Sequence, residues 1–276
     1  MLDPILSPAA LRALSTYTLL DCRPDEEAYR TAHVRGAFHA QLERDLSSSA
    51  PQPERGGRHP LPEPDVFSAT LGRWGITPAR HVVAYDEQGG ANAAARLWWL
   101  LRAFGHTQVQ VVDGGLSALL QAGFALTDEV PVAPASAPYP ASRFVWPVAD
   151  IHEVEHARSD TTRRVIDVRA AVRYRGESEP IDPIAGHIPG AHNVPLSANL
   201  RADGRFKEAD ELRALYAPTL QGSTPEQTIV HCGSGVTACH TLLALERAGL
   251  PGAKLYVGSW SEWCRNPERA REPSTP

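Results

Sequence analysis

In the run HCGSGVTACH, residues 231–240, a cysteine is followed by glycine, serine, glycine, valine and threonine. A soft nucleophile, Cys232, therefore heads a short loop of small and hydroxyl-bearing residues, with the apolar pair Ile229 and Val230 before it and the apolar run LLALERAGL after it. That pattern reads as strand, loop, helix. In such a loop several backbone N–H groups can turn inward around one atom, and the helix N-terminus adds about half a positive charge. With the Cys232 sulfur at the centre, thiolate is favoured over thiol, and the residue is a nucleophile at neutral pH. Gly233 and Gly235 suit the positive φ angles and close backbone approach this requires, and Ser234 and Thr237 offer hydroxyl donors. The alternative is a buried structural cysteine beside an ordinary turn; two glycines and two hydroxyls favour the reactive reading.

Two other chemistries use similar residues. Cysteine phosphatases carry HC, five residues and then arginine, but the sixth residue after Cys232 is Ala238. Without that guanidinium there is no bidentate clamp for a phosphate dianion. A zinc site from His231, Cys232, Cys239 and His240 has no common ligand spacing, and neighbouring strand residues point to opposite faces.

The elements that must position this loop recur along the chain. YTLLDCRP (17–24), AHVRGAFH (32–39), HVVAYD (81–86) and VVDGGLSALLQAGF (111–124) in the first half are matched in order by RRVIDVRA (163–170), GHIPGAHNVP (186–195), TIVHC (228–232) and LYVGSWSEWC (255–264). Short β-branched runs alternate with helical patterns in both halves, which implies an α/β protein of two tandem domains, each a mainly parallel sheet flanked by helices. Four prolines between 131 and 140 mark a semi-rigid connector. The expected division is a first domain over 1–124, a linker over 125–147 and a second domain over 148–276. The counterpart of Cys232 in the first domain is Asp86, which cannot act as a soft nucleophile. Residues 42–64 are rich in turn formers without periodicity and read as an ordered surface loop, with a lid over a ligand site as the alternative.

The 276 residues are ample for two cores. A net charge of -5 gives no general attraction to nucleic acid, and no run approaches the ~20 apolar residues of a membrane span. The start of the chain lacks a basic flank followed by a long apolar region, so the expected location is cytoplasmic, with the four cysteines as free thiols.

The motifs YRTAHVRGAF, VVDGGLSALL, GHIPGAHNVP, CGSGVTACH and YVGSWSEW together resemble the two-domain rhodanese-like sulfurtransferases, over nearly the whole chain. The resemblance implies a silent N-terminal domain and an active C-terminal one, in which Cys232 carries sulfur as a persulfide and no cofactor is needed. Substrate binding then falls to Arg173 and to the loop residues Gly233, Gly235, Val236 and Thr237. The uncharged loop is similar to that of 3-mercaptopyruvate sulfurtransferases, whereas thiosulfate enzymes usually carry basic residues after the cysteine. The expected donor is thus 3-mercaptopyruvate, with thiosulfate as the alternative, and the acceptor is a thiol, cyanide or a thioredoxin-like protein. A sulfur carrier without turnover is the rival from another class. The resemblance also assigns Ser234 to proton movement with a histidine of the N-terminal half. His33 matches that position, with Asp25 as a candidate third member. Where a second donor-binding arginine is expected, nine residues after Arg173, this chain has Asp182, an anion expected to repel the donor. Asp167, Arg169 and His187 are expected to be structural, and Trp260 and Trp263 to pack as core or interdomain aromatics.

Overall fold

The computed structural model describes residues 2–133 and 136–272. The chain divides into two compact units, one over Met1–Ser49 and Leu61–Trp146, the other over Ala50–Pro60 and Pro147–Pro276. In the first, strands β1 (Ile5–Leu6), β2 (Thr18–Asp21), β3 (His33–Val34), β4 (Ala37–His39), β5 (Val82–Tyr85), β6 (Val109–Val112) and β7 (Leu126–Thr127) follow in chain order. Five form a parallel sheet in the order β1-β6-β5-β2-β4, while β3 and β7 pair antiparallel. The second unit has β8 (Val148–Ala149), β9 (Arg164–Asp167), β10 (His192–Asn193), β11 (Thr228–His231) and β12 (Lys254–Tyr256). Its sheet runs β8-β12-β11-β9-β10, all pairs parallel. Strand for strand this is the order of the first sheet, so the repeat seen in the sequence is a repeat of topology.

Parallel strands joined by helical crossovers are covered on their faces, and their residues are apolar throughout rather than alternating. VVAY of β5 and TIVH of β11 accordingly lie wholly in the interior. The helices that follow them, Ala93–Ala103 and Ala238–Arg247, bury nearly every residue. In the second unit Trp260, Trp263, Tyr256, Val165, Ile188 and Ile229 form one core cluster.

Each sheet carries the same buried staple at the end of the strand beside its central one. Arg23 Nη2 donates to Asp21 Oδ2 at 2.7 Å and to the Ala32 carbonyl at 2.7 Å. Arg169 Nη2 donates to Asp167 Oδ2 at 2.6 Å and to the Gly186 carbonyl at 2.8 Å. The pairs are worth little as net attraction once desolvation is counted, but losing one partner would strand a buried charge. Residues 134 and 135 of the proline-rich stretch lie outside the described residues. The rest of it up to Trp146 is strapped to the first unit: the Tyr139 carbonyl accepts from Ser68 Oγ at 2.6 Å, and Phe144 and Trp146 pack on Phe67, Phe104, Trp98 and Trp99.

Candidate active site

Cys232 directly follows β11, the middle strand of the second sheet, at its C-terminal end, where open parallel sheets place their ligands. The loop from Cys232 to Thr237 leads into the helix Ala238–Arg247, and Thr237, at the N-cap, makes no capping bond with its side chain. A second short helix, Ser259–Trp263, braces the loop from the side. The Cys232 N–H donates to Ser259 Oγ at 3.2 Å, and the Trp260 and Ser261 N–H groups donate to the carbonyls of Cys232 and Gly233 at 3.0 and 2.9 Å. Ser259 has φ 53°, the one positive value at a non-glycine residue among the described residues. Such strain persists only where surrounding bonds impose it; here Ser259 Oγ also donates to the Tyr256 carbonyl at 2.9 Å. Gly235 has φ 75°, and a Cβ on it would lie 2.5 Å from the Val257 carbonyl oxygen. Only glycine fits that position without moving the loop. Val236 is buried beside it, and Cys232 itself is 1% exposed.

The first unit shows what this type of loop does with an anion. Asp86 follows β5 as Cys232 follows β11. Its Oδ1 accepts from the N–H groups of Gln88 and Gly90 at 2.9 and 2.7 Å, and its Oδ2 from those of Asn92 and Ala94 at 3.0 and 3.3 Å. Burial pushes the Asp86 carboxyl up, and these four backbone bonds oppose that rise. A carboxylate of the chain's own thus fills the nest in the first unit, and a cysteine stands in the corresponding place in the second.

Part of the stretch read as a surface loop belongs to this site. Residues 50–60 are part of the second unit although their neighbours in sequence lie in the first. Gly56 N–H donates to Glu262 Oε1 at 2.8 Å and Arg58 N–H to Ser261 Oγ at 3.1 Å, so the segment is fastened to the bracing helix. It presents His59, whose Nδ1 is 2.8 Å from Ser234 Oγ. The histidine hydrogen-bonded to Ser234 is therefore His59, where the sequence reading named His33. His33 is fully buried in the first unit, with its ring nitrogens 2.8 and 3.2 Å from the carbonyls of Tyr29 and Glu129 and its ring stacked on Tyr29. Its repeat counterpart His187 does the same, with Nδ1 2.8 Å from the Tyr174 carbonyl and its ring stacked on Tyr174. Both histidines tie their motif to the tyrosine of the preceding helix. Asp25 caps the helix Glu26–Thr31 through bonds from the Glu27 and Ala28 N–H groups.

Arg173 comes from the helix Ala171–Tyr174 and is held by Glu179, with Nη2 2.6 Å from Oε1. Its guanidinium reaches the nucleophile loop, since a Cβ on Gly233 would lie 3.5 and 3.6 Å from Arg173 Nη2 and Nη1. Arg58 Nη2 lies 3.3 Å from the same point. Asp182 does not project into open space as a repelling anion. Its side chain is fully buried and paired with Arg58 Nη1, with Arg265 Nη1 at 2.8 Å and with Arg173 Nη2 at 3.7 Å. Beneath the loop, burial pushes the Asp167 carboxyl up, but His231 and the Arg169 guanidinium outweigh it and hold it below the usual range. Burial pushes the thiols of Cys22 and Cys264 up, which fits an inert role for both.

Sequence reasoning missed His59, Arg58 and Ser259. The first two sit in RGGRHPLP, where the sole cue is a long aperiodic loop bearing two charged groups and an imidazole. Ser259 was legible only as part of GSWSEW.

The rhodanese-like domain model matches the chain twice, over residues 7–122 and 150–266. A probable 3-mercaptopyruvate sulfurtransferase of Pseudomonas aeruginosa is 42% identical over 262 residues, covering 91% of this chain and 90% of the relative. A putative thiosulfate sulfurtransferase of Mycobacterium tuberculosis is 36% identical, covering 94% and 92%. The crystal structure of the 3-mercaptopyruvate sulfurtransferase of Escherichia coli superposes with a TM-score of 0.78 at 30% identity, covering 94% of this chain and 99% of the other.

Proposed function

Because this chain belongs to the rhodanese-like sulfurtransferases, we propose that it takes sulfur from 3-mercaptopyruvate onto Cys232 and passes it to a thiol, to cyanide or to a thioredoxin-like protein. The observation that carries the choice of donor is the Ser234–His59 hydrogen bond two residues from the nucleophile. Breaking the C–S bond of mercaptopyruvate leaves the electron pair on carbon, and that enolate needs a proton. Thiosulfate releases sulfite, which needs none. A hydroxyl backed by an imidazole is the group the first reaction calls for.

The Cys232 thiolate attacks the donor sulfur. A sulfur–sulfur bond forms as the carbon–sulfur bond breaks, leaving Cys232–S–SH and the enolate of pyruvate. Ser234 gives its proton to the enolate carbon and recovers one from His59. Arg173 holds the donor carboxylate, and backbone N–H groups of the loop after Cys232 hold the negative charge on sulfur, as backbone N–H groups of the first unit hold Asp86. In the second half-reaction an acceptor thiolate or cyanide attacks the outer sulfur, and the sulfur–sulfur pair returns to Cys232. The result is ping-pong turnover without a cofactor.

The test compares kcat/KM for 3-mercaptopyruvate and thiosulfate on the purified protein, with cyanide and with a reduced thiol as acceptors. A clear preference for mercaptopyruvate is expected. Preference for thiosulfate would overturn the donor assignment, and transfer to a protein partner with negligible turnover of small acceptors would make the chain a sulfur carrier.

A further inference from the structure

We propose that Ser261, with Glu262 beside it, is the positioning residue that sets His59 against Ser234. The inference rests on the reading of Ser234 and His59 as the proton path and concerns what holds the two together. They lie 175 residues apart in the chain, so their 2.8 Å contact needs a common support. The short helix Ser259–Trp263 is that support. Trp260 and Trp263, three residues apart and hence on one face, sink into the core of the second unit and fix the helix there. Ser261 and Glu262, between them, turn to the nucleophile loop and to the segment that carries His59.

Ser261 grips the residue before each member of the pair. Its N–H donates at 2.9 Å to the carbonyl of Gly233, which precedes Ser234, and its Oγ accepts at 3.1 Å from the N–H of Arg58, which precedes His59. The same Oγ donates to the Gly258 carbonyl at 2.8 Å, so its hydrogen is committed and it meets Arg58 with a lone pair. Ser261 is fully buried, which keeps bulk water from these bonds. Glu262 adds a grip two residues before Arg58, where its Oε1 accepts from the Gly56 N–H at 2.8 Å as a charge-assisted bond. Between the two grips lies Gly57, with φ 81°; a Cβ on it would lie 2.5 Å from the Gly258 carbonyl oxygen and 2.8 Å from Ser261 Oγ. Only a residue without a side chain lets the backbone lie this close to the helix. Each of the residues 56 to 59 is thus held against the helix or the loop, which restricts where the imidazole can sit. Proton transfer depends on that restriction, because a misplacement of about 1 Å can cost on the order of a hundredfold in rate.

The test uses the full chain in two backgrounds, with His59 and with His59→Ala. Ser261→Ala removes one neutral backbone bond and is expected to lower kcat with 3-mercaptopyruvate about fivefold when His59 is present. In His59→Ala the same substitution should cost less than about twofold, because the group it positions is gone. Glu262→Ala should lose about tenfold with the same dependence on background, and Glu262→Gln, whose amide oxygen can still accept from Gly56, should stay within about twofold of the unmodified protein. Equal losses in both backgrounds would mark a purely structural role and overturn the proposal, as would Glu262→Gln being as slow as Glu262→Ala. A second readout needs no sulfur donor. Carbethoxylation of His59 by diethyl pyrocarbonate, followed by peptide mass spectrometry, should be about fivefold faster in Ser261→Ala, and an unchanged rate overturns the proposal. If Ser261→Ala fails to fold, the two Glu262 variants decide by the same readouts. Absence of mercaptopyruvate turnover in the unmodified protein would refute the donor assignment, while the labelling rate still judges Ser261 and Glu262.

Discussion

Replacing His59 with alanine is the sharpest perturbation of the proposed proton path. The 2.8 Å contact between His59 Nδ1 and Ser234 Oγ joins the imidazole to the loop. Loss of a positioned acid or base costs about 10²- to 10⁴-fold in rate. His59 is half-buried, and bulk water can replace it in part. The low end applies, about a hundredfold in kcat, or ~2.7 kcal/mol of barrier. Pyruvate release measured at saturating mercaptopyruvate should show this loss with little change in KM, because the imidazole binds no substrate group. With thiosulfate the same variant should keep kcat within about threefold, since sulfite leaves without a proton. Ser234→Ala should behave alike. The double variant should be scarcely worse than either single one, as expected for two residues acting as a unit. His33→Ala supplies the contrast: it removes a buried stack on Tyr29 and two carbonyl contacts, so Tm should fall while kcat per folded molecule holds. If His59→Ala turned over normally while folded His33→Ala lost kcat at unchanged Tm, the Ser234–His59 relay would be refuted.

Three further outcomes follow from the same geometry. Cys232→Ser should abolish both transfer and the mass gain of one sulfur atom after donor treatment, whereas Cys22→Ser and Cys264→Ser should retain both, and loss of labelling in either of the latter would move the nucleophile. Gly235→Ala places a Cβ 2.5 Å from the Val257 oxygen at positive φ, and should destabilise the protein by roughly 3 kcal/mol in urea unfolding; an unaltered midpoint would show that the loop relaxes freely. Burial holds the fully buried His240 down to about 3, well below its unfolded value near 6.5. As pH falls through that window the unfolded chain binds a proton that the folded chain refuses, so stability should drop by about 1.4 kcal/mol per pH unit. Urea titrations at pH 7, 6 and 5 should show a shallower slope for His240→Gln, and equal slopes would mean that His240 does not set this pH dependence.

Much of the fold was legible because both halves repeat the same local signals. β-branched runs such as VVAYD and TIVHC marked β5 and β11, and the alternation with helices implied parallel sheets before any strand order was known. The Asp167–Arg169 pair spans two residues, so a structural role was readable locally, whereas the His187 contact with Tyr174 spans thirteen residues and needed the fold. His33 matches an expected catalytic histidine along the chain, but in both units the histidine of this motif stacks on a tyrosine of the preceding helix and bonds its carbonyl.

By itself the sequence singled out the candidate nucleophile and its setting. Cys232, the glycines and the hydroxyls are contiguous, and a strand–loop–helix leaves such a loop few conformations, so composition and spacing carry the chemistry. What surrounds that loop was decided only by tertiary structure. His59 and Arg58 reach Ser234 and Gly233 across some 175 residues of chain, from an aperiodic segment that packs with the second unit. Asp182 reads as a repelling anion along the chain, but three guanidiniums gather on it in space. Hydrophobic periodicity specifies elements, but the sign of a field at a given atom depends on which distant charges the packing brings near, and Coulomb energy varies with distance in space, not in sequence.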